Sequence, residues 1–407
     1  MSFIANNIKN VDLYLLPLAA FFLLISSAGT NFFIVISVII SCIHVIKNKD
    51  YNVIVEKNIL KLCFAIFLLF LISSFYTIAN PEEVLGTLKK YLKFLYIPFI
   101  YYLIKIKKNE IIIINFFIYG VTLILVLSYL KYFNIIDFNY LYDFLSQVKL
   151  TNVQDKIINT RSSIFQNYII QGIIFSFYSF LCLYVAKKNT SLLYYLLSLL
   201  SFCNVLFIND SRAAYILIII LSILSLYRII TQNKYRVIIL ILFTVSLSTQ
   251  ISSNLENRVT RIANSVNLIS ENNYNSSLGK RYIWAQIAGR NFLNSPILGL
   301  GVGSYQESVI NYFKDSSPSD FDIYVTNNPH NEFLSINSQL GAFGSILFLG
   351  ILVSLLRYSK NNIFAQGITV VVIISSIFNS AFYDNMLGLF LIIIIGLLYN
   401  TNKNFKV

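Results

Sequence analysis

Charge is what this sequence most lacks. Of its 407 residues only 12% are Asp, Glu, Lys or Arg, about half the ~25% usual in soluble domains. That shortage argues against a soluble enzyme, a disordered regulator and an ordinary nucleic-acid binder. Acid is scarcer than base, 18 Asp+Glu against 31 Lys+Arg, for a formal net charge of +13. Cysteine is scarce too: Cys42, Cys63, Cys182 and Cys203 all fall in or at the end of apolar stretches, none at metal-ligand spacing. They read as small apolar packing residues, and the long polar loops, which hold no cysteine, carry no disulfide framework. Two histidines and one tryptophan complete the short supply. The run Gly299-x-Gly301-x-Gly303 is not the dinucleotide fingerprint and does not join a strand to a helix; it reads as a flexible turn. The first apolar stretch lacks a basic leader region and an Ala-x-Ala cleavage site, so it reads as a retained span.

What is abundant is apolar: 57% of residues, with a mean hydropathy of +0.69. A membrane-crossing helix needs about 20 mainly apolar residues. Twelve stretches qualify, roughly 11–28, 30–46, 59–79, 85–104, 110–131, 163–186, 191–208, 212–230, 236–251, 333–356, 363–382 and 385–400. The weakest are 85–104, which opens with three lysines, and the short 236–251. The expected fold is an all-α integral membrane protein of about 12 transmembrane helices, without the internal repeat many transporters carry. It divides into nine spans over 1–251, a large loop over 252–332, and three spans with a tail over 333–407. One set of connections is short and basic: Lys47, Lys49 and Lys57; Lys105, Lys107 and Lys108; Lys187 and Lys188; Arg228, Lys234 and Arg236; Arg357 and Lys360; and a tail with Lys403 and Lys406. Positive loops stay in the cytoplasm, which puts both termini there and both long loops, about 132–162 and 252–332, outside. With Lys9 and Lys61, that side takes seventeen basic residues. It takes four acidic ones, Asp12, Asp50, Glu56 and Glu110, so the whole excess of +13 lies there. The excess is a topology signal, and no nucleic-acid partner is implied.

Polar groups near membrane depth need a partner or a role. Four sites on the loop side stand out. Asn209-Asp210-Ser211-Arg212 separates two apolar stretches by about three residues, so Arg212 opens a helix at the interface, either snorkelling or clamping an anion. Ser277-Leu278-Gly279-Lys280-Arg281 precedes an amphipathic pattern from Tyr282 to Leu293, read as a helix on the membrane surface with Trp284 as an interfacial anchor. Lys280 and Arg281 lie near its start, where free N–H groups already favour an anion. Asn328-Pro329-His330-Asn331-Glu332 comes just before the span at 333. Histidine is the usual base near neutral pH, although a lone interfacial histidine is more often structural. Tyr383-Asp384-Asn385 forms a tight turn between the last two spans, where Asp384 either caps a helix or orients a histidine or arginine.

In order and spacing these pieces resemble the O-antigen ligase and O-antigen polymerase group of bacterial envelope enzymes, and the ligase most. The resemblance rests on Ser211-Arg212, on Ser277-Leu278-Gly279-Lys280-Arg281 with Ser295-Pro296-x-x-Gly299, on His330-Asn331-Glu332, and on Gly341-x-x-Gly344. It is dense over about 205–356; Arg161 and Lys93 also look similar to basic positions of the ligase. The resemblance implies a glycosyltransferase of the GT-C type in the bacterial inner membrane, its active site facing the periplasm. Its donor is a glycan on undecaprenyl diphosphate and its acceptor a sugar hydroxyl of lipid A-core; membrane lipids surround it.

On that reading Arg212 and Arg281 bind the diphosphate leaving group, with Arg161, Lys93 and Lys280 in support. His330 is the base, oriented by Glu332 or Asp384. No acidic cluster of metal-binding type accompanies them, so no metal and no cofactor is expected, and a single displacement with inversion follows. Two alternatives remain open. An O-antigen polymerase or a protein O-glycosyltransferase would use the same donor, and a lipid-linked glycan flippase would place polar groups deeper and show repeats.

Overall fold

The computed structural model describes residues 2–136, 138, 163–230, 253–271, 273–314 and 324–400, and among them no strand occurs. The helices are α1 (Ser2–Phe22), α2 (Ser27–Asn48), α3 (Asn58–Ser73), α4 (Pro81–Tyr91), α5 (Lys93–Lys107), α6 (Glu110–Tyr132), α7 (Tyr168–Asn189) and α8 (Leu192–Cys203, continued by a π turn, Asn204–Ile208). They continue as α9 (Arg212–Ile230), α10 (Ser253–Ser270), α11 (Ser277–Asn294), α12 (Ser304–Tyr312), α13 (Glu332–Ser359), α14 (Ile363–Phe378) and α15 (Asn385–Asn400). Helices α2, α6, α7 and α13 are long and apolar enough to cross a membrane, and six further apolar helices are shorter. The chain is a multi-pass membrane protein on that count. The expected stretch at 236–251 lies outside the described residues. The stretch at 85–104 is not one helix: it divides at Leu92, whose carbonyl takes both the Leu95 and Tyr96 N–H groups.

Helix α15 runs through the middle of the bundle. Every residue from Met386 to Tyr399 is buried, the pattern of a helix apolar on every side. Gly388 and Gly396 let α5 approach it; a Cβ would meet Lys93 Cδ at 2.5 Å and Ile100 Cγ2 at 2.7 Å. Helix α2 lies at the edge, with Phe32, Ile39, Ile43 and Ile46 all more than half exposed, as a lipid-facing stripe should be.

One end of the bundle carries Lys57, Lys105 and Arg357 and is called the basic end below; the other is the loop end. At the basic end α2 and α5 stop on lysines in the left-handed conformation, Lys49 (φ 59°) and Lys108 (φ 50°). Such caps satisfy the last carbonyls of a helix: Asp50 N–H reaches Val45 O at 3.0 Å and Lys108 N–H reaches Ile104 O at 2.8 Å.

At the loop end a second, small core forms. Helix α11 starts five residues before the amphipathic pattern, because Ser276 caps it by accepting the Gly279 N–H at 3.0 Å. Its buried positions Gly279, Ile283, Ile287 and Asn291 fall four apart, one face of a helix. That face meets Tyr305, Val309, Phe313 and Tyr324. The expected contact of this face with the membrane surface is therefore replaced by a contact with the loop's own core.

The long helix α13 breaks at Gly341 (φ 59°, ψ −150°). The segment 296–301 fills the break. Ala342 N–H donates to Pro296 O (2.8 Å) and Phe343 N–H to Ile297 O (3.4 Å), while Ser338 O and Gln339 O accept from Leu300 N–H (3.1 Å) and Gly301 N–H (2.9 Å). The glycine run read as a flexible turn is thus tightly packed. A Cβ on Gly299 would lie 2.4 Å from the Gln339 backbone, and one on Gly301 2.5 Å from Thr77; both residues hold positive φ, which glycine adopts at no steric cost.

Candidate active site

Three elements of the loop end bring their cationic and imidazole groups together. The first is the start of α9. Ser211 Oγ accepts the Ala214 N–H at 3.2 Å, and Asn209 Oδ1 accepts the Ser211 N–H at 2.8 Å. Asn209 is itself held by Tyr168 O and by the Tyr215 hydroxyl on its carbonyl. Arg212 follows this tied turn as an exposed residue at the first position of the helix.

The second is the first turn of α11. Gly279 packs against Tyr274, where a Cβ would come within 2.7 Å of the backbone. Two residues on, Arg281 is half-buried, and its Nη1 donates to Phe378 O at 3.2 Å. Burial holds its guanidinium below the usual arginine range, and the nearby charge of Arg212 pushes the same way. Two cations that repel each other across a partly desolvated gap are stabilised by an anion between them. Lys280 stands about 100° further round the helix from Arg281, and its backbone N–H continues the cap by donating to Ser276 O.

The third is the turn before α13. His330 has φ 51°, an uncommon conformation for a non-glycine residue, and its N–H is held by Asn328 Oδ1 at 2.9 Å. Its ring lies 5.0 Å from the Trp284 ring, tilted by 40°. Trp284 is fixed in turn, donating to Tyr324 O at 2.9 Å and offering its own carbonyl to the Tyr305 hydroxyl. Burial, and then the charge of Arg281, push the His330 imidazole down to about 4. The imidazole is therefore neutral at pH 7, the form that accepts a proton. Arg281 is the common neighbour: it acts electrostatically on His330 and feels Arg212.

The other candidates gather on a different feature, the 377–384 turn. Glu332 is fully buried and its Oε2 accepts the Phe382 N–H at 2.7 Å. Lys93, 4% exposed, donates from Nζ to Phe382 O at 2.9 Å and Asp384 O at 2.8 Å. Asp384 Oδ1 caps α15 through the Leu387 N–H at 2.9 Å, and burial raises its carboxyl above the usual range. Glu332 and Lys93 thus hold the backbone of this turn, and Asp384 caps the helix that follows it. That turn supplies Phe378 O to Arg281 and Ile377 O to the Asn331 amide (2.8 Å), next to His330. Arg161 lies outside the described residues. Among the described residues no three His, Cys, Asp or Glu side chains gather as metal ligands.

Sequence reading missed two partners. Trp284, which the sequence suggests as an interfacial anchor, backs the histidine; its place 46 residues upstream gives no hint of that contact. Tyr91 stacks on Phe70 (centroids 4.1 Å apart) and its hydroxyl meets Ser335 Oγ at 2.9 Å, tying α4 to α13.

Residues 196–349 match the O-antigen ligase family. The matched region, less than half of the chain, contains Arg212, Lys280, Arg281, His330 and Glu332, and it takes in the Gly341 break. No curated protein aligns with the chain closely enough to count as a relative.

Proposed function

We propose that this chain, similar to the O-antigen ligase family over residues 196–349, transfers a glycan from undecaprenyl diphosphate to a sugar hydroxyl of lipid A-core on the periplasmic face of the inner membrane. The observation that carries the reading is that the half-buried Arg281, held by Phe378 O, is within electrostatic reach of both Arg212 and His330. The leaving group is a lipid diphosphate, and charge builds on it as the glycosidic bond breaks. Preorganised cations aimed at that charge are worth the most in a partly dry site. Arg212 and Arg281 fill that role, with Lys280 one step round the helix; Arg161 belongs to the same proposal on sequence alone.

The acceptor hydroxyl is a poor nucleophile until its proton is taken. His330, neutral beside Arg281, takes it as the oxygen attacks the anomeric carbon. The bound diphosphate offsets the Arg281 charge, which strengthens the imidazole as a base at the moment it is needed. The C–O bond to the diphosphate breaks as the new glycosidic bond forms, so one displacement inverts the anomeric centre. The arginines take the place a metal ion has in other phosphate chemistry. Lys93, Glu332 and Asp384 act one step back, through the 377–384 turn.

Lipopolysaccharide from a deletion strain tests the reading. A ligase deletion leaves polymer on the lipid carrier and none on lipid A-core, whereas a core bearing a single repeat would make the chain a polymerase instead. Purified wild-type protein in the absence of any membrane gradient should turn over donor and acceptor; a protein that moves the donor across vesicles without transfer would be a flippase. Retention at the anomeric carbon would overturn the single displacement.

A further inference from the structure

Beside the Gly341 break an apolar surface is left open. Phe75 is 90% exposed, Leu293 76%, Ile297 60%, Phe343 50% and Leu298 46%. They form one patch because the segments are knitted together. The Tyr76 hydroxyl donates to Leu298 O at 2.8 Å, Thr77 Oγ1 to Val302 O at 2.8 Å, and Phe343 N–H to Ile297 O. No Lys, Arg, Asp or Glu occurs in 73–81, 291–306 or 338–356. The patch runs on without a break into Leu68, Leu71 and Ile72 of α3 and Ile346, Leu349 and Val353 of α13, the outward stripes of two apolar helices.

Its depth follows from helix geometry. Helix α13 rises about 22 Å from Arg357 to Ala342, and α3 about 23 Å from end to end, at 1.5 Å per residue. Helix α3 begins and α13 ends at the basic end, where Glu56 and Lys57 lead through Tyr101 and Tyr399 to Tyr358. A bilayer's hydrocarbon is about 30 Å thick, and any tilt shortens the rise. The break and the segment packed into it therefore fall several ångströms short of the far boundary, inside the leaflet at the loop end. Irregular backbone is tolerated at that depth only when its polar groups are answered within the protein. The four hydrogen bonds across the break meet that condition.

We infer that residues 293–298 are a re-entrant insertion whose occupant is lipid: the acyl chains of the leaflet opposite the basic end cover Phe75, Leu293, Ile297, Leu298 and Phe343. The inference stands on depth and composition and does not rest on the proposed reaction. It has a consequence for that reaction, because the insertion continues directly from α11 and fixes the level of Arg281 relative to the phosphate layer.

Fluorescence quenching tests it on the full chain in vesicles of phosphatidylethanolamine and phosphatidylglycerol. Ile297→Cys and Leu293→Cys, two exposed positions, carry an environment-sensitive dye; the unsubstituted chain treated alike supplies the background from natural thiols. Asn275→Cys, at an exposed loop tip, is the aqueous reference. Both the Leu293 and the Ile297 probe should show blue-shifted emission, loss of iodide quenching relative to the Asn275 probe, and stronger quenching by lipid labelled near the headgroup than near the bilayer centre. Iodide quenching equal to that of the Asn275 probe would overturn the inference. So would shielding from both iodide and lipid, the result if a second copy of the chain covered the patch.

Discussion

The chain's two histidines sit at opposite ends of the bundle in opposite company. His44 faces acid: its Nε2 is 3.5 Å from Asp12 Oδ2, the same oxygen that Lys107 reaches at 3.1 Å. Nearby, Glu56 takes Lys105 at 2.5 Å and Lys57 at 3.6 Å. His330 faces base: it feels the charge of Arg281, which in turn feels that of Arg212. At the basic end Asp12 and Glu56 gather His44, Lys57, Lys105 and Lys107, and α1, α2 and α5 are pinned by ordinary ion pairs worth little each. At the loop end Arg281 feels the like charge of Arg212, and the same guanidinium keeps the imidazole of His330 uncharged. On the proposed function, the anionic diphosphate is what offsets that repulsion.

Substituting one histidine at a time should separate the two ends. His330→Ala is expected to cost about 100- to 10,000-fold in kcat, the range for loss of a general base. His44→Ala should leave turnover near wild type and lower stability by less than about 1 kcal/mol. Transfer assays with both proteins check this, and equal losses would erase the contrast. Arg281→Ala should cost about 100- to 1,000-fold in kcat, the effect of removing one donor to a developing anion. Arg281→Lys should recover only part of that, because a point charge does not reproduce the planar fork.

The acidic limb of the pH profile gives a subtler check. His330 titrates at about 4 in the free protein, so kcat/KM, which reports free enzyme, should hold as pH falls until it approaches that value. Bound diphosphate offsets Arg281 and moves the imidazole back up, so the limb of kcat should lie at higher pH. Coincident limbs would mean that Arg281 does not face the donor. The smallest effect is on stability. Gly279→Ala forces a Cβ against the Tyr274 backbone and should destabilise by about 1–3 kcal/mol. Thermal melting measures it, with transfer activity falling only as far as the start of α11 is displaced.

Hydropathy located most of the helices because a bundle in lipid has to be apolar over whole turns. The stretches read as roughly 212–230 and 385–400 coincide with Arg212–Ile230 and Asn385–Asn400. The split at Leu92 was less visible, although Asn80-Pro81-Glu82-Glu83 carries a helix-start signature and Asn80 Oδ1 does accept the Glu83 N–H at 3.0 Å. The site was legible as residue types. Arg212, Arg281 and His330 stand out as polar groups bordering apolar spans. What Lys93 and Glu332 touch was not legible, since their partners are backbone atoms of a turn about 290 and 50 residues away, and any residue type supplies those. Glycine was misread for a related reason: composition says that it can bend, while the neighbouring backbone decides that here it must fit.

The two lysine caps at the basic end carry one more lesson. Glycine would hold φ 59° or 50° without strain, and a side-chain-bearing residue there gives up roughly 1 kcal/mol or more. The finished fold would gain from glycine at Lys49 and Lys108. On the proposed orientation the charge acts earlier, while each hairpin chooses its direction across the bilayer. On that orientation a small permanent loss in the mature protein would serve a decision made once, during insertion.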